Sequence, residues 1–173
     1  MNTAHAHPVR AHHTIKDFLP LITILAVICA FTAYMVLSTS QPDLMYGMRM
    51  FMAGFFVVFG GFKMLRWRGF VEAYREYDLL AQRSMVYAYL YPLIEVGLGL
   101  AYFFAWQLVS VSSVTIVVMM IGAYGVWLKL RKREEIPCAC HGVVFKIPMT
   151  KVTLFEDLLM AAMAVGMLIY LMM

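Results

Sequence analysis

The chain is poor in charged residues, and what it lacks argues against several classes of protein. Only 14% of its 173 residues are Asp, Glu, Lys or Arg, whereas a soluble domain carries about 25%. It also lacks the nucleophile and base set of a hydrolase, a phosphate-binding glycine loop and a dinucleotide motif. The sequence therefore argues against a hydrolase or a nucleotide-dependent enzyme.

Long apolar runs dominate the sequence instead, and they predict an all-α, polytopic transmembrane helix bundle. Hydrophobic residues make up 63% of the chain. A helix needs about 20 apolar residues to cross a hydrocarbon layer about 30 Å thick. The first run is longer than the about 7–15 apolar residues of a signal peptide, so we interpret it as a retained helix. Five segments qualify as spans, at 18–37, 44–65, 84–106, 112–130 and 154–172.

Lys and Arg are distributed unevenly about these spans. If the N-terminus is cytoplasmic, 13 of the 14 basic residues fall inside and Arg49 alone falls outside. Because Lys and Arg gather at cytoplasmic helix ends, we expect a bacterial-type inner-membrane protein with its N-terminus in and its C-terminus out. The basic residues lack the aromatic companions of a nucleic-acid-binding surface. The lipid bilayer is therefore the expected partner, and nucleic acid is not.

The chain has no long-period repeat and no low-complexity linker, which favours a single domain over residues 18–173. Residues 1–17 are expected to form a cytoplasmic tail that contains several histidines: His5, His7, His12 and His13. Such a tail can gather metal ions, but a tail without a fixed ligand role is the alternative.

Two short segments predict local structure outside the spans. Phe70, Tyr74, Tyr77 and Ala81 recur at helical spacing, which predicts an amphipathic helix over 69–83 in the cytoplasmic headgroup layer. Before the last span, the sequence from Thr153 to Glu156 fits a capping box, which predicts that the last helix begins there.

The most specific chemical signal is the sequence Cys138-Ala-Cys140-His141-Gly between the fourth and fifth spans. Cys138 and Cys140 can act as a redox pair that exchanges disulfides with a partner. The same thiolates, with His141, can bind a soft metal such as copper, zinc or mercury. One Cys-x-Cys supplies too few ligands for a closed zinc site. Two incidental loop cysteines are the third interpretation.

Glu95 is a carboxylate well inside a membrane span, where an ionisable group is costly and marks a candidate functional site. Tyr87, Tyr91 and Glu95 share one helical face, and Pro92 frees a backbone carbonyl beside them. This stripe can serve as a proton site or path. Alternatively, a protonated Glu95 bonds a tyrosine and joins two helices.

The stretch Cys138–Gly142, followed by Val152–Asp157, resembles the MauE/DoxX group of redox-associated membrane proteins, which carry a Cys-Gly-Cys-Phe-Gly-like loop before their final helix. The segment 62–100, with Tyr74, Tyr91-Pro92 and Glu95, is similar to that group's helical pair. The resemblance covers roughly residues 45–173. This chain departs from the loop pattern at two positions, with Ala139 in place of glycine and His141 in place of an apolar or aromatic residue.

The resemblance implies a four-helix core, here preceded by an additional helix, and a redox role. It associates the chain with methylamine utilisation, in which MauE assists disulfide formation or maturation of the small subunit of methylamine dehydrogenase. Disulfide formation requires thiols that face an oxidising compartment, whereas the basic residues place Cys138 and Cys140 on the cytoplasmic side. His141 favours metal binding in the same loop.

Three hypotheses follow. The first is a thiol–disulfide helper that passes electrons to a thioredoxin-like or other redox partner through Cys138 and Cys140. The second is a copper or mercury carrier that uses Cys138, Cys140 and His141. The third is a structural subunit, as a monomer or an oligomer, without chemistry of its own.

Overall fold

The computed structural model describes residues 19–40, 42–131 and 150–173. Within them the chain contains no strand and forms seven helices: α1 (Leu19–Leu37), α2 (Leu44–Leu65), α3 (Trp67–Tyr74), α4 (Leu79–Arg83), α5 (Met85–Phe103), α6 (Leu108–Arg131) and α7 (Thr150–Met172). Of these described helices, α1, α2, α5, α6 and α7 are long and apolar enough to cross a membrane. The five-span helical bundle predicted from the apolar runs is confirmed.

Four of these helices form the core, and α1 packs on its outside. The most extensive contacts pair α2 with α5 and α6 with α7, and smaller contacts of α5 with α6 and of α2 with α7 join the two pairs. By contrast, α1 contacts mainly α2 and buries Leu21 and Ile28 alone. It leaves an apolar groove of about 410 Å³ against α2 and α5.

The two ends of the bundle differ in charge. At one end α2 and α6 end while α5 and α7 begin, and we call this the basic end because every described Lys and Arg except Arg49 lies there. At the opposite end, Arg49 Nη1 donates to the backbone carbonyls of Tyr102 at 3.0 Å and Phe103 at 3.1 Å. A cation at a helix C-terminus satisfies carbonyls that have no partner within the helix. Arg49 therefore binds the end of α5 to the start of α2.

The predicted boundaries of the middle spans were wrong at the opposite end. The third span was expected to reach Trp106 and the fourth to begin at residue 112, but α5 ends at Phe103 and α6 begins at Leu108. Ala105 and Gln107 have φ angles of 55° and 45°, a left-handed conformation that stops a right-handed helix. A four-residue turn therefore connects α5 to α6, although it contains no glycine or proline.

The segment predicted as one amphipathic helix over 69–83 forms two helices, α3 and α4. Its apolar face is buried within the protein, since Phe70 and Ala81 are fully buried and Tyr74 and Tyr77 are nearly so. Asp78 ends the intervening turn and caps α4. The predicted face is therefore correct, but its burial partner is the helical core.

The capping-box prediction for the last helix was wrong, because α7 already begins at Thr150. Thr153 and Glu156 thus lie inside the helix, and Glu156 is buried. Glu156 is therefore the seventh residue of α7 and no part of its cap.

Candidate functional site, a buried charged cluster

A buried ion pair joins α2 and α5 near the basic end. Lys63 Nζ donates to Glu95 Oε1 at 2.5 Å and to Oε2 at 2.6 Å, and the two side chains are only 7% and 3% exposed. The Lys63 ammonium also lies 4.9 Å from the ring centroid of Tyr91 and 5.6 Å from that of Phe70. Pairing and cation–π contacts thus offset part of the cost of taking both charges out of water.

Two glycines allow α2 and α5 to approach closely enough for this pair to form. A Cβ atom at Gly60 would lie 3.2 Å from Glu95 Cβ, and one at Gly99 would lie 2.9 Å from the backbone nitrogen of Val57. Small residues at helix contacts let backbones come together in membranes. Because Lys63 follows Gly60 by about one helical turn, the close contact sets its ammonium opposite Glu95.

The first turns of α7 bring two further carboxyl groups to the same place. Glu156 is 8% exposed, and its neighbour Asp157 is partly buried. Both face a cavity of about 20 Å³ that Lys63 and Glu95 also line. This volume holds about one water molecule. The remaining lining residues are Phe55, Phe59, Tyr74, Tyr77, Tyr91, Met119, Gly122 and Thr153.

Asp78 forms the edge of the cluster nearest the basic end. Its Oδ1 accepts hydrogen bonds from the backbone N–H groups of Leu80 at 2.9 Å and Ala81 at 2.8 Å, which is the usual role of an N-cap aspartate. The side chain is fully buried. Burial raises the pKa of the Asp78 carboxyl above its ordinary value of 3.8, and the two backbone donors oppose that rise only in part.

Three polar atoms around Tyr74 are buried without a well-formed hydrogen bond in the described part of the chain: the hydroxyls of Tyr74 and Tyr87 and Oδ2 of Asp78. The Tyr74 ring packs 4.4 Å from that of Tyr91. Burial raises the pKa of the Tyr74 hydroxyl well above 10.0, with smaller contributions from the charge of its neighbours. Tyr74 therefore keeps its proton at neutral pH and remains a donor. Buried polar groups without partners are rare, and they often mark functional sites or bound water.

This arrangement suits proton binding better than metal binding. Several carboxyl groups and one ammonium surround a space for a single water, and proton transfer requires donors and acceptors within hydrogen-bond reach, directly or through one water. Within residues 19–131 and 150–173, apart from residue 41, no three His, Cys, Asp or Glu side chains are grouped as a metal site requires.

The structure places Glu95 and Tyr91 of the predicted polar stripe inside this cluster. Glu95 pairs with Lys63 as well as interacting with the Tyr91 hydroxyl, so a tyrosine is one of its partners but not the main one. Cys138, Cys140 and His141 lie outside the described residues. Their segment connects the end of α6 to the beginning of α7, and both of these helix ends lie at the basic end.

Sequence reasoning missed the other charged members of the cluster. Lys63 follows a long apolar run and was counted among the basic flanking residues, as most lysines near a helix end are. Glu156 was assigned to the capping box of a helix that begins later than α7 does. One signal in the sequence could have identified Lys63. It lies within the second apolar run, and an ionisable residue inside a span usually pairs with an opposite charge inside another span.

A family model described as methylamine utilisation protein MauE matches residues 41–170. No curated protein and no solved structure matches the chain. The matched region begins after α1 and includes all four helices of the core, together with the Lys63–Glu95 pair and the Cys-x-Cys sequence. The chain is therefore an integral membrane protein that belongs to the MauE family.

Proposed function

We propose that this protein assists thiol–disulfide exchange with a partner protein through Cys138 and Cys140. The observation that carries this proposal is topological. The segment with the two cysteines joins α6 to α7 at the basic end, where the described charged cluster also lies. Membership of the MauE family, with its role in methylamine utilisation and redox-associated processes, supports the same function.

The proposed exchange needs no oxidant other than the partner's disulfide. One thiolate of the pair attacks that disulfide, which breaks its S–S bond and forms a mixed disulfide. The second thiolate then closes the Cys138–Cys140 bond and releases a partner dithiol. Two electrons pass to the partner, and its two thiolates take up the two protons that the Cys138 and Cys140 thiols gave up. In the reverse direction the same steps oxidise the partner. A thioredoxin-like protein is the expected class of partner.

We propose Glu95 as a proton site of this protein. It lies in the charged cluster near the basic end, where the cysteine segment connects α6 to α7. We propose that the basic end is cytoplasmic and the C-terminus outside, because Lys and Arg gather at cytoplasmic helix ends. The basic residues that support this placement are Arg66, Arg68, Arg75, Arg83, Lys129 and Arg131. An impermeant maleimide applied to intact cells tests the placement, since cytoplasmic thiols will react only after the cells are opened.

A second candidate function is soft-metal binding by Cys138, Cys140 and His141, with copper as the expected ion. The observation that favours it is the imidazole directly after the second thiol, where the family pattern has an apolar or aromatic residue. Thiolate and imidazole ligands together suit copper.

The test uses purified protein with Cys29→Ala, so that Cys138 and Cys140 are the remaining thiols. A reduced thioredoxin-like protein without its resolving cysteine should attack the Cys138–Cys140 disulfide of the oxidised protein and stay attached as a mixed disulfide, and it should form none with the double serine variant. Stoichiometric Cu(I) binding lost in the double variant, without any disulfide, would favour the metal carrier. Full host growth with the double variant would identify a structural subunit.

A further inference from the structure

The carboxyl group of Asp157 differs from that of Glu95 in its partners. Glu95 receives both of its short hydrogen bonds from Lys63. Asp157, one helix away, has no hydrogen bond and no ion pair within 4 Å from the described residues, although it feels the charges of Lys63 and Glu95. A carboxylate in a membrane interior without a direct cation is strongly disfavoured. Asp157 therefore has a reason to be neutral that Glu95 lacks.

The fold makes room for Asp157 beside the cavity. Its Oδ2 lies 3.1 Å from the position that a Cβ atom would take at Gly122 of α6, so any larger residue there would press on the carboxyl. The cavity of about 20 Å³ touches Asp157 and Tyr74 and has room for one water. The Tyr74 hydroxyl is buried and has no well-formed hydrogen bond in the described structure. The hydroxyl interacts with Asp78 and Tyr87, and a water in the cavity can complete its hydrogen bonding.

We propose that Asp157 is a second proton-binding site within the bundle, beside the one proposed for Glu95, and that its carboxyl group takes up and releases a proton. The cavity beside the Asp157 carboxyl has room for one water, which can accept the proton or donate it. The site is a property of the described helices, and it does not depend on the thiol chemistry proposed for Cys138 and Cys140.

Several other titratable groups surround this position. The α6 surface that lines the cavity contributes Met119 and Gly122, which do not titrate. The remaining groups come from α2, from α3 and the turn after it, from α5 and from α7: Lys63, Tyr74, Tyr77, Asp78, Tyr87, Tyr91, Glu95 and Glu156. Asp78 is distinguished from Asp157 by its two backbone N–H donors, which favour its ionised form.

The direct measurement is an infrared pH titration of the full chain in lipid nanodiscs, over roughly pH 4 to 9. A protonated carboxylic acid has a carbonyl band separate from that of a carboxylate, and the band shifts in deuterated water. We expect the native protein to show a titrating band of this kind that belongs to Asp157, alongside those of its other carboxyl groups. It should be lost in Asp157→Asn and retained in Glu156→Gln, the matched control on the adjacent residue, and in Asp78→Asn.

Selective labelling keeps the test decisive if Asp157→Asn does not fold. With the carboxyl carbon of aspartate labelled with ¹³C, the band of the otherwise native protein should shift, whereas labelled glutamate should leave it in place. Gly122→Ala should move the pH midpoint of the band, because the added methyl group presses on Oδ2 of Asp157. The proposal is overturned by a native protein without the band, by a band that follows glutamate labelling, or by a band that survives Asp157→Asn.

Discussion

The two ends of the bundle differ in how their buried polar groups are paired. At the end with the 104–107 turn, the Tyr102 hydroxyl lies 3.1 Å from Thr115 Oγ1 and 3.3 Å from Ser112 Oγ, and Arg49 binds carbonyls of α5. At that end a hydroxyl is paired with hydroxyls, and a cation is paired with backbone carbonyls. At the basic end, charged groups are buried together with hydroxyl and carboxyl atoms that have no well-formed partner among the described residues.

The difference separates a structural polar contact from a candidate chemical site. Satisfied hydroxyl pairs hold helices together and have no spare capacity to accept or donate a proton. Incompletely paired carboxyl and tyrosine groups carry a stability cost, and such groups persist mainly at functional sites. The following substitutions test whether the two ends behave differently.

The largest effect is expected for Lys63→Met, which leaves Glu95 buried without its cation. Removing one partner of a buried ion pair costs about 3–5 kcal/mol, and we expect the loss in unfolding free energy to shrink at acid pH as Glu95 takes up a proton. SDS titration in mixed micelles measures it. The double variant Lys63→Met with Glu95→Gln should recover much of the loss, and no recovery would contradict a direct coupling of the two side chains.

A smaller loss is expected where α2 and α5 touch. Gly60→Ala places a methyl group 3.2 Å from Glu95 Cβ, and overpacking of this kind costs about 1–3 kcal/mol. The adjacent Gly61 has nothing within 4 Å of the equivalent atom, so Gly61→Ala should be neutral or stabilising because alanine favours helix. Equal unfolding free energies for the two variants would mean that the close contact of α2 with α5 at Gly60 does not position the Lys63–Glu95 pair.

The comparison of the two ends is sharpest for a pair of tyrosines. Tyr102→Phe removes a paired buried hydroxyl and should lower the unfolding free energy by about 0.5–1.5 kcal/mol. Tyr74→Phe removes a hydroxyl that has no well-formed hydrogen bond with the described residues, so it should lower the unfolding free energy by less than Tyr102→Phe does. Both variants are measured in the same micelles. A larger loss for Tyr74→Phe than for Tyr102→Phe would reverse our assignment of the two ends.

The smallest expected effect is on the pH dependence of the unfolding free energy. Because the pKa of Asp78 is raised in the folded protein, the folded chain binds more protons than the unfolded chain between the ordinary value of 3.8 and the raised value. Stability that depends on Asp78 should therefore fall as pH rises through that window. The difference in unfolding free energy between the native protein and Asp78→Asn measures it, and a difference that grows with pH there would contradict the raised pKa.

Much of the fold is predictable from the sequence because long apolar runs leave a chain few alternatives in a bilayer. The second span matches α2 over residues 44–65. The turn at 104–107 was not predicted because Ala105 and Gln107 adopt positive φ angles although neither is glycine. The residue types in this turn therefore do not indicate it. The break between α3 and α4 comes just before Asp78, which caps α4, and the spacing of the apolar residues does not reveal it.

The candidate site was only partly predictable for a related reason. Glu95 stands out because it is a lone acid in an apolar run, but its partner Lys63 resembles an ordinary basic flank. Only the packing of α2 on α5, through Gly60 and Gly99, shows that the two meet. The roles of Cys138, Cys140 and His141 stay predictions, since these residues lie outside the described part of the chain.

The position of α1 has a practical consequence. The family match begins at residue 41, and within the described structure no α1 side chain lines the charged cavity. Cys29, on the exposed surface of α1, is thus a natural attachment point for a spectroscopic label. A fluorophore at Cys29 would report on the surrounding lipid without contacting the acid–base groups in the interior.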